Sequence, residues 1–327
     1  MSPTISILDL AAVGSAETIG DALDGTVALA QLAEQLGYRR VWYAEHHNIE
    51  SIASSATAVL IAHVAAHTST IRLGAGGIML PNHSPLVIAE QFGTLATLHP
   101  GRIDLGLGRA PGSDQLTTRA LRRDPAAAEA FPQDVLELQA FLSERSPIPH
   151  VTAIPGRGTN VPLYILGSSL FGAQLAAALG LPFAFASHFA PQALHQAVEI
   201  YRSRFEPSAE LDHPHVIAGV NVIAADTEAG AQQQFVAARR RRVRSLFSRD
   251  GEVLSDDDVD RILRSPQAAH VEQMMTYVAV GVPSVVKAYL DDFAAHARAD
   301  ELMVVHQADS VAARLRSVQL LAEAVDL

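Results

Sequence analysis

The chain has 327 residues, of which 49% are hydrophobic and 18% charged; its formal net charge is −11 and it contains no cysteine. This composition provides apolar material for a large core, and its charge fraction is too low for a disordered chain. The negative charge argues against nucleic acid as a partner, and the absence of cysteine excludes disulfide and thiolate chemistry. No apolar run reaches the ~18 residues of a membrane span, so we expect a soluble, cytoplasmic protein without a membrane partner.

The N-terminal part alternates between apolar runs and helical patterns. A short strand is predicted over residues 5–10, a helix over 19–36 and a second strand over 41–44. The next helix, residues 54–67, is apolar nearly all round, which indicates that it is covered on both sides. We expect this helix to form a homodimer interface; the alternative is burial beneath an insertion.

Three ionisable residues, Glu45, His46 and His47, follow the second predicted strand directly. Such side chains at the end of a strand are candidates for acid–base or metal chemistry. Adjacent histidines on an extended chain point in opposite directions, so this pair does not indicate a zinc site. We expect one imidazole to act as an acid or base and the other to pack structurally.

A strand, a loop, a helix and another strand are predicted over residues 71–109. The apolar run 71–80 shows no polar alternation, which is typical of a parallel strand covered on both faces, and it leads into a loop with His83. Glycines inside this strand, Gly76 and Gly77, mark a bulge or a close approach. The approaching group is either a flat ligand on the backbone or a packed helix. The last strand ends at Gly108 and Arg109.

The C-terminal half continues the alternation, with strands predicted over residues 163–166, 182–187, 216–225 and 301–305. Ser168 and Ser169 lie between the first of these strands and a helical pattern. Small hydroxyl residues there form an anion site or an ordinary helix cap, and the sequence fits both.

Two segments near the C-terminus depart from the simple alternation. The helix predicted over residues 227–246 carries four consecutive arginines, 239–242, which wrap around the helix; we interpret them as a solvated or interface segment rather than a phosphate site. The polar and acidic segment 248–277 makes this connection far longer than one crossover helix needs. We predict that it is a lid insertion.

Eight apolar strand candidates alternating with helices predict an α/β fold, a (β/α)8 TIM barrel with insertions at its C-terminal face, as one domain over residues 1–327. Ligands bind at the carboxyl ends of barrel strands, where His83, Gly108 and Arg109 fall. No Gly-x-Gly-x-x-Gly motif follows the first strand, which argues against a Rossmann dinucleotide site.

The chain resembles bacterial luciferase-like flavin monooxygenases, specifically the alkanal-monooxygenase-like branch. The resemblance is carried by residues 44–47, 72–85 and 101–109, with weaker matches at 163–169 and 280–283. It implies a TIM barrel that binds reduced FMN supplied by a separate flavin reductase. It also implies that O2 adds to the flavin as a C4a-hydroperoxide, which oxidises a small organic substrate in a dry pocket.

The resemblance implies a cofactor site. Gly76 and Gly77 match a non-proline cis peptide under the isoalloxazine ring of FMN. Arg109 matches the arginine that binds the FMN phosphate, and Ser168 and Ser169 match the other phosphate contacts.

The resemblance also implies roles beside the flavin. His46 matches the catalytic histidine, and Glu45 beside it belongs to the cofactor-binding set. Gly108 stands where light-emitting members have a reactive cysteine, so we expect a non-luminous enzyme. Two alternatives remain: an F420-dependent hydride-transfer enzyme on the same barrel, and a flavin-binding protein without turnover.

Overall fold

The structure, a computed structural model, describes residues 3–110, 114–248 and 254–327. Nine strands and twelve α-helices lie within these residues. The strands are β1 (Thr4–Asp9), β2 (Arg40–Tyr43), β3 (Arg72–Met79), β4 (Ile103–Gly108), β5 (Leu163–Gly167), β6 (Phe183–Phe185), β7 (Val216–Ala224), β8 (Val278–Gly281) and β9 (Glu301–His306). The helices are α1 (Ile19–Leu36), α2 (Thr57–Ala65), α3 (Pro85–Leu98), α4 (Gln115–Ala120), α5 (Phe131–Leu142), α6 (Leu170–Leu179), α7 (Leu194–Arg204), α8 (Glu228–Phe247), α9 (Asp256–Leu263), α10 (Ala268–Met274), α11 (Pro283–Ala297) and α12 (Val311–Val325).

Eight of the strands close into a parallel barrel. The sheet order is β6-β5-β4-β3-β2-β1-β9-β7, and β6 also pairs with β7, which completes the ring. Every one of these pairings is parallel, and the first strand joins the last at Thr4 and Glu301. The predicted (β/α)8 TIM barrel is therefore confirmed.

A ninth strand, β8, lies outside this ring. β7 pairs with β9 from Ile217 to Val222 and then continues, so that Asn221–Ala224 pair with β8. Within the weak family match at residues 280–283, Val280 and Gly281 belong to β8. Pro283 does begin α11, where the fixed backbone angle of proline suits a first helical turn.

Buried charged and aromatic side chains fill the lower end of the barrel interior, at the amino ends of the strands. Arg40 donates hydrogen bonds to Asp104 at 2.7 Å, to Glu301 at 2.9 Å and to the Tyr164 hydroxyl at 2.7 Å. Trp42 lies above them, edge-on to Tyr164 with ring centroids 4.9 Å apart. A charge buried this deeply needs its partners, because removing one of them costs about 3–5 kcal/mol. Ligand space is thereby restricted to the upper, carboxyl end of the strands.

The predicted lid segment contains two short helices, α9 and α10; its residues 249–253 lie outside the described residues. Val259 of α9 and Val271 of α10 are buried in a cluster that includes Ile223 at the end of β7. Because β7 ends at the upper face of the barrel, the insertion is attached to that face.

Four of the five arginines between residues 239 and 244 of α8 form ion pairs within the chain, whereas the sequence predicted a solvated or interface segment. Arg239 pairs with Glu272 of α10, and Arg240 pairs with Asp256 of α9 at 2.8 Å. Arginines of α8 are therefore paired with carboxylates of the insertion.

Helix α2 covers Thr57–Ala65 and is shorter at both ends than the predicted 54–67. Its inner face is buried, whereas Val59 is 70% exposed on the outer face. In the part of the chain that the structure describes, no helix combines the length and apolar character that a membrane crossing requires.

Candidate active site

His46 lies on the inner side of the barrel mouth. Trp42 and Ala44 belong to the cluster that fills the barrel interior, and His46 follows them with the two-residue period of an extended chain. His46 also lies close enough to His188, which follows β6, to affect the pKa of that residue. The structure thus places the predicted catalytic histidine among the strand ends.

Glu45 faces away from His46 and is almost fully buried. Its carboxylate accepts hydrogen bonds from Nε2 of His47 and of His83, each at 2.9 Å, and from the backbone N–H of Met79 at 2.9 Å. Burial by itself would raise the pKa of Glu45, but the hydrogen bonds from His83 and His47 outweigh it, so the pKa lies below the ordinary value. An ionised Glu45 therefore ties the end of β2 to the end of β3.

The Gly76–Gly77 peptide bond is cis, as the family resemblance implies. The pairing of β3 with β4 shifts register between Ala75 and Ile78, so the predicted bulge is confirmed. A Cβ at Gly76 would lie 2.8 Å from Leu8 Cδ1, and one at Gly77 would lie 2.8 Å from the Gly106 carbonyl oxygen. The groups that approach these glycines come from the barrel itself, not from a packed helix.

Arg109 lies immediately after β4 and is exposed. Its guanidinium carbon is 4.1 Å from the centre of the Phe171 ring, and Phe171 is the second residue of α6. This stacking holds a positive charge beside the N-terminus of α6. The pairing of β4 with β5 brings Arg109 to the same part of the barrel mouth as Ser168 and Ser169.

Ser169 is the N-cap residue of α6, yet its side chain makes no capping hydrogen bond. Ser84, the N-cap of α3, also makes none, whereas the N-cap hydroxyls of α1, α8, α9 and α12, on Thr18, Thr227, Ser255 and Ser310, each accept a bond from the first helical turn. The first N–H groups of α6 therefore have no such side-chain partner. Ser169 therefore does not act as a side-chain cap in this structure, and the anion site remains a prediction.

His188 is a site residue that the sequence analysis did not identify, although it directly follows a predicted strand. A Cβ at Gly219 of β7 would collide with its Nδ1, so the imidazole packs directly on that strand. Burial, followed by the nearby charges of Arg242 and His46, lowers the pKa of His188 to about 3. The ring is therefore neutral at physiological pH. Within the described chain, its Nδ1 is buried without a hydrogen-bond partner.

An amide network supports the loop that carries His188. Asn221 of β7 donates from Nδ2 to the His188 carbonyl oxygen at 2.6 Å, and its Oδ1 accepts a hydrogen bond from Gln307 at 2.9 Å. Among residues 3–110, 114–248 and 254–327, no three His, Asp or Glu side chains are grouped so that they could hold a metal ion.

Comparison with known proteins identifies the family. A sequence model of the luciferase-like monooxygenases matches residues 4–318. The chain belongs to this family. It is 48% identical over 317 residues to a luciferase-like monooxygenase of Escherichia coli strain K12, which covers 96% of this chain and 95% of that protein. The resemblance stated from the sequence is thereby confirmed.

Two further relatives are informative about chemistry and fold. An N-acetyl-S-alkylcysteine monooxygenase of Bacillus subtilis strain 168 is 39% identical over 240 residues, which cover 71% of each chain. The crystal structure of apo-MsnO8 superimposes with a TM-score of 0.88 at 36% identity and covers 99% of both chains. The apo-MsnO8 structure thus matches the barrel over nearly its whole length.

Proposed function

We propose that this family member is a flavin-dependent monooxygenase that uses reduced FMN and O2 to oxidise a small organic substrate without emitting light. Membership of the luciferase-like monooxygenases supports the reaction class. The observation that carries the cofactor proposal is the N-terminus of α6, where Ser169 leaves the capping position unused. A phosphate group suits such a helix N-terminus because free N–H groups and the helix dipole both favour an anion.

The residues present fit a flavin mononucleotide. Arg109 would bind the phosphate, since its planar guanidinium can donate two parallel hydrogen bonds, and Ser168 and Ser169 would complete the phosphate site. The ring system would rest on the side-chain-free backbone of Gly76 and Gly77. Glu45 would contribute indirectly, because its bond to the Met79 N–H fixes the end of the same strand.

His46 would hold or transfer a proton at its imidazole beside the ring system. When bound, reduced FMN would supply the electrons that activate O2. Proton transfer by a positioned imidazole contributes about 10²- to 10⁴-fold to a reaction rate. Gly108 offers no thiol at the position where light-emitting members have cysteine, which supports the non-luminous assignment.

The insertion 248–277 would act as the lid that excludes water from the site. Its attachment to α8 and β7 supports this role, because both lie at the barrel mouth. A separate flavin reductase would deliver reduced FMN, which fits a cytoplasmic location. The B. subtilis relative suggests N-acetylated thioether amino acids as the first substrates to test.

The cofactor proposal is tested by anaerobic titration of the purified protein with reduced FMN and, separately, with reduced F420. We expect FMN to bind and Arg109→Ala to weaken that binding by about 10- to 100-fold, since a hydrogen bond to a charged group contributes about 1.5–3 kcal/mol. Arg119→Ala, on α4, is the matched control and should leave the affinity unchanged. Tighter binding of F420 would contradict the proposal and favour hydride transfer.

Turnover is tested by rapid mixing of the reduced complex with O2. We expect O2 uptake above the free reduced-FMN background that depends on an added substrate. Binding of FMN without substrate-dependent uptake across the thioether series would favour a flavin-binding protein that has no turnover.

A further inference from the structure

Helix α8 carries five arginines between residues 239 and 244, and four of them form ion pairs. The pairs are Arg239–Glu272, Arg240–Asp256, Arg240–Asp260, Arg241–Asp309 and Arg244–Asp256. Arg242 differs: among residues 3–110, 114–248 and 254–327, no carboxylate lies within ion-pair distance of it. Burial also lowers the pKa of the Arg242 guanidinium. A partly buried charge in this position gains from an anionic partner.

Arg242 continues the inward-facing stripe of α8. Ala231, Phe235, Ala238 and Arg242 follow one another at intervals of four, three and four residues, which places them on one face of a helix. Ala231 and Ala238 are buried and Phe235 packs against them. The same helix pairs with the loop after β9 through Arg241 and Asp309. The guanidinium of Arg242 is therefore held on the protein side of α8.

His188 connects Arg242 to the barrel mouth. Arg242 and His46 both lie close enough to His188 to lower its pKa, so His188 lies near each of these two side chains. The three residues come from three places: the helix after β7, the loop after β6 and the end of β2. Because His188 is neutral, it adds no positive charge there, and its Nδ1 is buried against Gly219 of β7.

The region around His188 is distinct from the phosphate site of the proposed cofactor. Arg109 and Ser169 lie at the ends of the neighbouring strands β4 and β5, whereas His188 and Arg242 belong to the β6–β7 side. The barrel mouth thus presents two cationic positions, with His46 associated with the second. A cofactor phosphate would use the first, which leaves the second for another anion.

We propose that Arg242 binds the carboxylate of the substrate and that the substrate is a small organic acid. This inference rests on the proposed function and specifies its substrate class. A carboxylate matches the two-pronged donor geometry of a guanidinium, and it would provide the counter-charge absent from the described chain. With its carboxylate on Arg242, a small acid would extend past His188 toward His46.

The test compares an acid with its neutral amide. Binding of N-acetyl-S-methylcysteine and of N-acetyl-S-methylcysteinamide to the full chain is measured by calorimetry, with and without oxidised FMN. We expect the acid to bind about 10- to 100-fold more tightly than the amide, as a charge-assisted pair predicts. In Arg242→Gln the two should bind within about threefold of each other, whereas Arg242→Lys should retain part of the preference. If Arg242→Lys keeps part of the preference for the acid over the amide, the positive charge is the source of that preference.

The controls separate this proposal from the cofactor proposal. Arg298→Gln removes an exposed guanidinium that pairs with Glu199, away from α8 and the insertion, and it should preserve the acid preference. Equal binding of acid and amide to the native chain, binding of neither, or an unchanged preference in Arg242→Gln would each overturn the proposal. If Arg242→Gln instead weakens FMN as strongly as Arg109→Gln does, Arg242 belongs to the phosphate site. Failure of the native chain to bind FMN would refute the proposed function, while the acid–amide comparison without FMN still decides this one.

Discussion

His46 and His188 follow two different strands of the barrel, β2 and β6, and their surroundings differ. His188 is packed on β7 and held neutral, whereas His46 lies at the end of β2 beside the proposed flavin site. We therefore propose the proton-transfer role for His46 and a positioning role for His188.

Replacement of His46 tests this assignment. We expect His46→Ala to lower substrate-dependent O2 consumption by about 10²- to 10⁴-fold, because a positioned general acid or base is lost. Reduced-FMN affinity should change less than threefold, as measured by anaerobic titration. His47→Ala, which removes the adjacent imidazole that faces Glu45, is the matched control and should retain most of the turnover. Full turnover in His46→Ala would refute the role.

Another buried imidazole should make the free energy of unfolding depend on pH. His306, at the end of β9, shares a 2.8 Å hydrogen bond with the Ser317 hydroxyl, and burial lowers its pKa to about 3. The unfolded chain binds a proton at this residue near pH 6.5, whereas the folded chain does not until about pH 3. Its contribution to stability is therefore complete above pH 6.5 and is lost as the pH falls toward 3.

The size of this effect follows from linkage. Between pH 7 and pH 5, His306 should reduce the free energy of unfolding by about 2 kcal/mol, at 1.36 kcal/mol per pKa unit. Urea unfolding at the two pH values measures the loss in the native chain and in His306→Asn. We expect the variant to lose about 2 kcal/mol less than the native chain over this interval. An equal loss in both proteins would show that His306 does not titrate in this way.

At the scale of elements, the N-cap residues of α8 and α6 allow one helix N-terminus to be assigned to stability and the other to binding. Thr227 caps α8 by accepting a hydrogen bond from Gly230, whereas Ser169 makes no such bond at α6. We expect Thr227→Ala to cost about 1 kcal/mol of stability and Ser169→Ala less than about 0.5 kcal/mol. Urea unfolding measures both. Ser169→Ala should instead weaken FMN binding, and a stability loss equal to that of Thr227→Ala would mean that its hydroxyl is an ordinary cap.

Most elements of the barrel could be predicted from sequence because a parallel strand covered on both faces is apolar throughout. Residues 71–80 and 216–225 predict β3 and β7 for this reason. β8 could not be predicted in the same way. β8 has only four residues, and it pairs with the part of β7 that extends beyond the pairing of β7 with β9. The difference in length between β7 and β9 depends on both strands, so the sequence around β8 alone does not predict it.

The site residues that directly follow strands could be predicted from the sequence. The hydrogen bonds and ion pairs between residues far apart in the sequence could not. His46, Arg109 and Ser169 each end a predicted strand or follow one. The bond between Glu45 and His83 depends on the relative heights of β2 and β3, which local periodicity does not specify. The ion pairs of α8 likewise depend on where α9 and α10 lie in the fold. The sequence does not specify those positions, so it predicted a solvated or interface segment for these arginines.

At the scale of the whole molecule, the outer face of α2 supports the proposed homodimer. Val59 is 70% exposed there, although the helix as a whole is strongly apolar. We expect the native chain to be dimeric by light scattering after size exclusion and Val59→Asp to be monomeric, because a charge on both copies would face its counterpart. Val285→Asp, on an exposed part of α11, is the control and should remain dimeric. A monomeric native chain would contradict the homodimer.

The buried Arg40 network has a consequence for synthesis of the chain. Its partner Glu301 is added 261 residues after Arg40, in the last strand of the ring. A nascent chain on the ribosome that has not yet exposed β9 therefore holds Asp104 and Tyr164 beside Arg40 but not the second carboxylate. Such a chain also leaves the edges of β1 and β7 open, and open edges favour aggregation. We therefore expect the ribosome-bound chain to remain protease-sensitive until Glu301 has left the exit tunnel and the ring can close.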